Sequence, residues 1–148
     1  MATRLLYISQ SGNTRAFIQK LIAYADTHPG PTFEAVEIND LTPDNHETSD
    51  YFAFVPTYLD GGNGIDNGVK EILTNALADY LAYGNNPRHL IGVVGSGNKN
   101  FNAQYVLTAK RYAQMFDAPL VGDFELRGTA TDVVRIYDAL SQTLAATN

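Results

Sequence analysis

Cysteine is absent from this sequence, and positive charge is scarce. Without cysteine the chain can form no disulfide, thiol nucleophile, thiolate-bound iron–sulfur cluster or Cys-based zinc site. Any redox chemistry must therefore reside on a bound cofactor. Lys and Arg number 10 against 16 Asp and Glu, which gives a formal net charge of -6. Because binding to nucleic-acid phosphates needs a clustered positive surface, this balance argues against a general nucleic-acid-binding protein.

Long apolar runs are missing as well. No stretch approaches the roughly 20 apolar residues that a membrane-spanning helix needs, and residues 1–9 lack the charged, apolar and small-residue regions of a signal peptide. A hydrophobic fraction of 45% over 148 residues is enough for one domain with a buried core. We therefore expect a single cytoplasmic domain over residues 1–148, without membrane contact.

Short apolar segments of strand length alternate with segments of helical periodicity. Strands are predicted at residues 4–8, 33–38, 51–55, 89–95 and 120–126. Apolar residues spaced three and four apart predict helices over residues 17–22, 69–81, 106–116 and 133–144. Residues 85–87 are predicted to close the second of these helices, and Thr131 to be the N-cap of the last. Residues 39–49 form an irregular connection where a further helix would be expected.

This alternation predicts an α/β fold. Buried strands that alternate with helices form a parallel sheet with helices on both faces. Five strands in this pattern favour the doubly wound order 2-1-3-4-5, in which ligands bind at the carboxyl ends of the strands. Polar, glycine-containing loops follow the first, third and fourth strands. We expect these three loops to converge on one crevice.

The first loop has the composition of an anion site. It reads Ser9-Gln10-Ser11-Gly12-Asn13-Thr14 and joins a strand to a helix. Hydroxyls, backbone N–H groups and the helix dipole together stabilise a phosphate without a basic residue. The loop is neither a Walker sequence nor Gly-x-Gly-x-x-Gly. The simpler alternative is a plain N-cap supplied by Ser11 or Asn13.

The other two loops each contain an aromatic residue. Tyr58 follows Pro56 and Thr57 directly, and Phe101 lies in the loop after the fourth strand. An aromatic side chain at such a position can cover a planar ring, although it can equally be half buried under its own loop. Two aromatics and a phosphate turn fit flavin mononucleotide (FMN) better than a free sugar phosphate. The three histidines are scattered, so no metal site is predicted.

Four motifs taken together resemble the NrdI family of flavodoxin-like proteins, which serve class Ib ribonucleotide reductase. The motifs lie in the family's order and cover nearly the whole chain. They are Ser-x-Ser-Gly-Asn-Thr at 9–14, Val-Pro-Thr-Tyr at 55–58, Gly-Ser-Gly-Asn-x-Asn-Phe at 95–101 and Phe-Glu-Leu-x-Gly-Thr at 124–129. The resemblance implies a flavodoxin-like fold and one non-covalent FMN.

The resemblance also assigns residues to that FMN. The phosphate turn would use Ser9, Gln10, Ser11, Gly12, Asn13 and Thr14. The flavin ring would lie between Pro56, Thr57, Tyr58 and Gly61 on one side and Gly97, Asn98, Asn100 and Phe101 on the other. Gly61 and Gly62 would be the catalytic pair, because a glycine carbonyl can turn toward the flavin N5–H with little backbone strain.

The function implied by the resemblance is activation of a reductase. In the family, reduced FMN reacts with molecular oxygen, and a superoxide-level oxidant passes to the dimanganese site of the class Ib small subunit. The other expected partner is a flavodoxin reductase or a similar electron donor. Residues 59–68 form a longer loop than compact family members have. The alternatives are a conventional flavodoxin and a non-redox domain that binds a phosphate ligand or a protein. Lys99, Arg88 and Arg127, near strand ends, slightly favour the reductase function.

Overall fold

A computed structural model describes residues 2–9, 12–60, 70–72, 75–97 and 106–147, with only the backbone of residues 58–60, 70–72 and 75. The strands of the main sheet are β1 (Thr3–Tyr7), β2 (Phe33–Glu37), β3 (Tyr51–Pro56), β6 (Leu90–Gly97) and β7 (Leu120–Glu125), and a hairpin contributes β4 (Tyr58–Asp60) and β5 (Lys70–Ile72). The helices are α1 (Asn13–Asp26), α2 (Asn75–Ala82), α3 (Asn86–His89), α4 (Leu107–Met115) and α5 (Ala130–Thr147). Within the described ranges, no helix combines the length and the apolar composition needed to cross a bilayer.

The main sheet has the predicted topology. Its five strands are all parallel, in the order β2-β1-β3-β6-β7. When the β4–β5 hairpin is left out of the count, this is the order 2-1-3-4-5. The prediction of a doubly wound sheet is therefore confirmed.

Helices cover both faces of this sheet. Alternate residues of a strand point to opposite faces, so Leu5 of β1 packs in one core cluster and Leu6 in the other. The first cluster lies under α1 and α5, and the second lies under α2 and α4. In β3, Phe52 and Phe54 face the first cluster, and every residue from Tyr51 to Pro56 is buried. Burial on both faces explains why this strand reads as a continuous apolar run.

The predicted helix over residues 69–81 is wrong in its first part. Residues 70–72 form β5, which pairs antiparallel with β4, and α2 begins at Asn75. The spacing of apolar residues within a segment cannot reveal this pairing, because the partner strand ends at Asp60, ten residues before Lys70. α2 ends at Ala82, one residue beyond the predicted end, but residues 85–87 do not close it, since Asn86 begins the short helix α3 with Pro87 in its first turn.

The last helix begins one residue before the predicted N-cap. The Asp132 N–H donates to Thr129 Oγ1 at 3.1 Å, and the Thr129 N–H donates to Asp132 Oδ2 at 2.8 Å. These reciprocal bonds form a capping box, so Thr129 and not Thr131 caps α5. The prediction of Thr131 as the N-cap is therefore wrong, because α5 already begins at Ala130, three residues before its first buried residue, Val133.

A buried carboxylate fastens the irregular connection between β2 and β3. Glu47 accepts hydrogen bonds from Arg4 Nε at 2.7 Å and from the Tyr80 hydroxyl at 2.8 Å. Its backbone N–H donates to Asn86 Oδ1 at 2.7 Å, and the Tyr51 hydroxyl donates to the Asn86 carbonyl at 2.9 Å. Burial and the bond to Glu47 raise the pKa of Tyr80 to about 12. The connection is thus tied to β1, α2 and α3 by polar contacts of Glu47, and Tyr51 of β3 bonds to the same α3 residue.

We predict that Glu47→Ala lowers the free energy of unfolding by about 2–4 kcal/mol, because it leaves buried donors without an acceptor. Glu34→Ala is the matched control, since Glu34 pairs with the same Arg4 at 3.2 Å but its side chain is 57% exposed. That control should cost less than about 1 kcal/mol. Urea denaturation measures both changes. Equal losses of unfolding free energy in the two variants would show that Glu47 does not hold the connection between β2 and β3 in place.

Candidate functional site

The carboxyl ends of β1, β3 and β6 lie side by side at one edge of the sheet. Pro56 of β3 is in register with Ser96 of β6, and Gly97 is in register with Glu125 of β7. The pairing continues one residue beyond the strands, because the Thr57 N–H donates to the Ser96 carbonyl at 2.8 Å. The structure therefore brings the described parts of the three polar loops to one edge, as the topology requires.

The turn after β1 is organised by one serine and one glycine. Ser9 Oγ accepts hydrogen bonds from the Gly12 N–H at 3.1 Å and from the Arg15 N–H at 3.4 Å. Gly12 has a φ of 86° and occupies the N-cap position without a side-chain bond. A left-handed residue is needed there to enter α1, which is why glycine is suited to the position. Asn13 is already the first residue of α1, so it is not the N-cap that the simpler reading allowed.

Thr14 is the most informative residue of this turn. It is 1% exposed, and its Oγ1 has no hydrogen-bond partner among the described residues. A buried hydroxyl without a partner is costly, and such groups in native proteins call for an explanation. The N-terminus of a helix favours negative charge. A buried donor in the first turn of α1 fits a phosphate group at this place.

Thr57 connects the end of β3 to the start of α4. Its Oγ1 accepts a hydrogen bond from the Thr108 N–H at 3.0 Å, at the start of α4. Val106, which precedes α4, has a φ of 52°. Thr108 is also 1% exposed, and its own Oγ1 has no partner in the described part of the chain. Because Thr57 Oγ1 accepts from Thr108, its hydroxyl proton is left to donate to another group.

Several predicted site residues are not covered by this geometry. Seven of them lie outside the described residues: Gln10, Ser11, Gly61, Gly62, Asn98, Asn100 and Phe101. Of Tyr58 only the backbone is described, as the first residue of β4. Pro56 is buried at the end of β3, and Gly97 ends β6 with its carbonyl accepting from the Leu126 N–H at 2.9 Å.

An ion pair that no sequence pattern indicates lies beside the turn before α1. Arg15 donates from Nε and Nη2 to the two carboxylate oxygens of Glu37, at 2.8 and 2.7 Å. The Tyr7 hydroxyl donates to the same carboxylate at 2.9 Å. The bond from Arg15 lowers the pKa of Glu37, so the pair persists at acidic pH until the carboxylate protonates below its ordinary range. Only the parallel register of β1 and β2, which pairs Tyr7 with Glu37, could have suggested it.

The predicted positive edge of the site is only partly present. Arg88 lies in α3, directly before the amino end of β6, and therefore at the sheet edge opposite the site. Arg127 does lie at the carboxyl edge, where its Nε donates to Asn13 Oδ1 at 3.2 Å. Lys99 lies outside the described residues. The expectation for Arg88 is wrong, because Arg88 precedes the amino end of β6, whereas the site loops follow the carboxyl ends of the strands.

The sheet order and the polar turn before α1 define a flavodoxin-like protein. Solved structures with the same fold include a flavodoxin from Streptococcus pneumoniae TIGR4, with a TM-score of 0.62 and 21% identity over 100% of both chains. Another is a short-chain flavodoxin associated with a PDU bacterial microcompartment, with a TM-score of 0.64 and 16% identity over 99% of this chain and 98% of that one. At such identities the likeness shows the fold alone.

The chain belongs to the NrdI flavodoxin-like family, whose family model matches residues 5–138. An NrdI-like protein of Streptococcus pyogenes serotype M18 (strain MGAS8232) is 48% identical in an alignment of 147 positions that covers 96% of this chain and 94% of that protein. Serotype M1 has two relatives. One is an NrdI-like protein, 45% identical over 93% of this chain and 87% of its own length. The other is Protein NrdI, 35% identical over 88% of this chain and 72% of its own length. The family resemblance read from the motifs is confirmed.

We predict opposite effects of two isosteric substitutions on the stability of the ligand-free protein. Thr14→Val removes a buried hydroxyl without a partner, so the free energy of unfolding should stay unchanged or rise by about 1 kcal/mol. Thr57→Val leaves the Thr108 N–H without an acceptor and should cost about 1–3 kcal/mol. Denaturant unfolding measures both values. A loss for Thr14→Val as large as that for Thr57→Val would mean that the Thr14 hydroxyl stabilises the fold itself.

Proposed function

We propose that this protein binds FMN without a covalent bond and, through it, activates the small subunit of a class Ib ribonucleotide reductase. The observation that carries the proposal is the buried Thr14 hydroxyl at the N-terminus of α1, which has no partner in the described part of this NrdI-family chain. Membership in a flavodoxin-like family supports a flavin as the ligand, and the phosphate turn supports FMN in particular.

The phosphate would be held by the turn before α1. Thr14 Oγ1 would donate to a phosphate oxygen and so gain the partner that the described residues do not provide. Ser9 Oγ accepts two backbone N–H groups and keeps its own proton for donation. The left-handed Gly12 orients the peptide groups that follow it. The α1 dipole adds a favourable field for the dianion.

A dinucleotide is disfavoured by the end of β2. In dinucleotide-binding folds an acidic residue at this end binds the ribose hydroxyls. Here the carboxylate at the end of β2 is Glu37, and both of its oxygens are held by Arg15. FMN has no second nucleotide to place there, so this ion pair supports FMN over FAD or a nicotinamide dinucleotide.

The flavin ring would lie over the ends of β3 and β6. Thr57 has a hydroxyl proton free to donate, while Pro56 and Gly97 form the two strand ends beneath the ring. The family resemblance adds Tyr58, Gly61, Asn98, Asn100 and Phe101 to the ring site, Gln10 and Ser11 to the phosphate turn, and Gly61 and Gly62 as the pair that sets the reactivity.

The redox chemistry would come from the cofactor. When bound, FMN supplies one-electron transfer to molecular oxygen, which yields the superoxide-level oxidant that the dimanganese centre of the reductase requires. The chain has no cysteine to share this task. Its residues hold the flavin, and an external electron donor such as a flavodoxin reductase would keep it reduced. The cytoplasm is the compartment that such partners imply.

We predict that the purified protein contains stoichiometric FMN, identified by extraction and chromatography. Thr14→Val and Ser11→Ala should each weaken FMN binding by about 1.5–3 kcal/mol, as expected for lost hydrogen bonds to a charged group. Riboflavin, which lacks the phosphate, should bind these variants as it binds the unmodified protein. Thr131→Val, at an exposed position of α5, is the matched control. Recovery of FAD, or equal losses for FMN and riboflavin, would contradict the phosphate assignment.

We also predict that the reduced protein, mixed with oxygen and a manganese-loaded class Ib small subunit, produces a tyrosyl radical detectable by electron paramagnetic resonance. Gly61→Val or Gly62→Val should lower the radical yield and leave FMN binding largely intact, because a β-carbon restricts the peptide that faces the flavin. A protein that reduces a generic acceptor well but yields no radical with its own organism's small subunit would exclude the activator function.

The second candidate is a conventional one-electron carrier of the flavodoxin kind. One observation favours it: Streptococcus pyogenes serotype M1 has both an NrdI-like protein, 45% identical to this chain, and a Protein NrdI, 35% identical. An organism with both proteins can assign the activator function to one of them and another electron-transfer partner to the other. The radical assay above separates the two candidates.

A further inference from the structure

The loop between β7 and α5 is held firmly against the start of α1. The Leu126 N–H donates to the Gly97 carbonyl at 2.9 Å, and the Gly128 N–H donates to the Glu125 carbonyl at 2.8 Å. Leu126 and Gly128 both have positive φ values, 54° and 70°. A β-carbon on Gly128 would lie 2.5 Å from Phe17 Cδ1 of α1. The backbone on both sides of residue 127 is therefore fixed by contacts with β6 and α1.

This loop presents Arg127 to the phosphate turn. Arg127 Nε donates to the side-chain oxygen of Asn13, the first residue of α1, at 3.2 Å. An arginine offers only donors, so this bond turns the Asn13 oxygen toward Arg127 and leaves the Asn13 NH2 group to donate elsewhere. Asn13 is the chain neighbour of Thr14, whose buried hydroxyl has no partner among the residues that the structure describes. One arginine thus orients the amide of a residue in the first turn of α1, the turn that also contains Thr14.

The positive charge of Arg127 can interact with a bound anion, whereas the charge of Arg15 is already offset by a carboxylate. Arg15 also lies in the first turn of α1, but both oxygens of Glu37 offset its guanidinium. Arg127 bonds to a neutral amide, and no carboxylate of the described ranges pairs with it. Its side chain is exposed, so the two terminal nitrogens can move toward an anion at the turn.

We propose that Arg127 is a phosphate-recognition residue, whose guanidinium adds positive charge to a turn that otherwise offers only neutral donors. The ligand class is a phosphate monoester dianion. The inference rests on the proposed function, in which that monoester is the phosphate of FMN. Two properties follow: the affinity for FMN depends on ionic strength, and Arg127 contributes to the preference for FMN over riboflavin.

The test measures dissociation constants of FMN and riboflavin for the flavin-free full chain, for Arg127→Leu and for Arg88→Leu, each at low and high salt. Arg88→Leu is the matched control, because it removes the same charge at the opposite edge of the sheet. Arg127→Leu should weaken FMN about three- to tenfold at low salt, as expected for one exposed charge contact. The deficit should shrink at high salt, and riboflavin affinity should stay within about twofold. Arg88→Leu should leave both flavins within the same range.

Two results would overturn the inference while leaving FMN binding intact. One is FMN affinity unchanged in Arg127→Leu at low salt. The other is a parallel loss of FMN and riboflavin, which would mark a purely structural function of the loop. If the unmodified chain binds neither flavin, the proposed function fails and this inference fails with it. Thermal unfolding of the flavin-free variants verifies that they fold.

Discussion

Parallel pairing of β1, β3 and β6 is the constraint on which the rest of the site depends. Because the three strands run in the same direction, the loops that follow them leave the sheet at one edge. The hydrogen bond from Thr57 to Ser96 extends the pairing of β3 with β6 past the strand end, and the bond from Leu126 to Gly97 does the same for β7 and β6. The first residues after β3 and β7 are thus held in register by the backbone of the sheet.

The fold could be predicted because the buried strands are short, continuous apolar runs between helical stripes. The hairpin of β4 and β5 could not, since its two strands are three residues each and pair across the intervening residues. The anchor at Glu47 was equally hidden. A carboxylate in an irregular connection follows no periodicity, and its partners Arg4 and Tyr80 lie 43 and 33 residues away.

The residue types in the turn before α1 could be read from the sequence, but their burial and hydrogen-bond partners could not. Ser9, Gly12 and Thr14 were predicted together, yet only the structure shows that Ser9 organises the turn while Thr14 is buried with no partner in the described ranges. The same is true of the two arginines near this turn, whose residue type the sequence shows but whose partners it does not. Arg15 and Arg127 both lie beside the turn, and it is the carboxylate of Glu37 that offsets one of them. Charge pairing between distant segments is a property of the folded chain.

The central claim is that the turn before α1 holds the phosphate of FMN. A crystal structure of the protein with FMN tests it most directly. The account predicts a phosphate oxygen within about 2.5–3.0 Å of Thr14 Oγ1, the usual range for a hydroxyl donor. It also predicts that Ser9 Oγ still accepts from the Gly12 N–H. A phosphate bound elsewhere, with the Thr14 hydroxyl still unpartnered, would contradict the account.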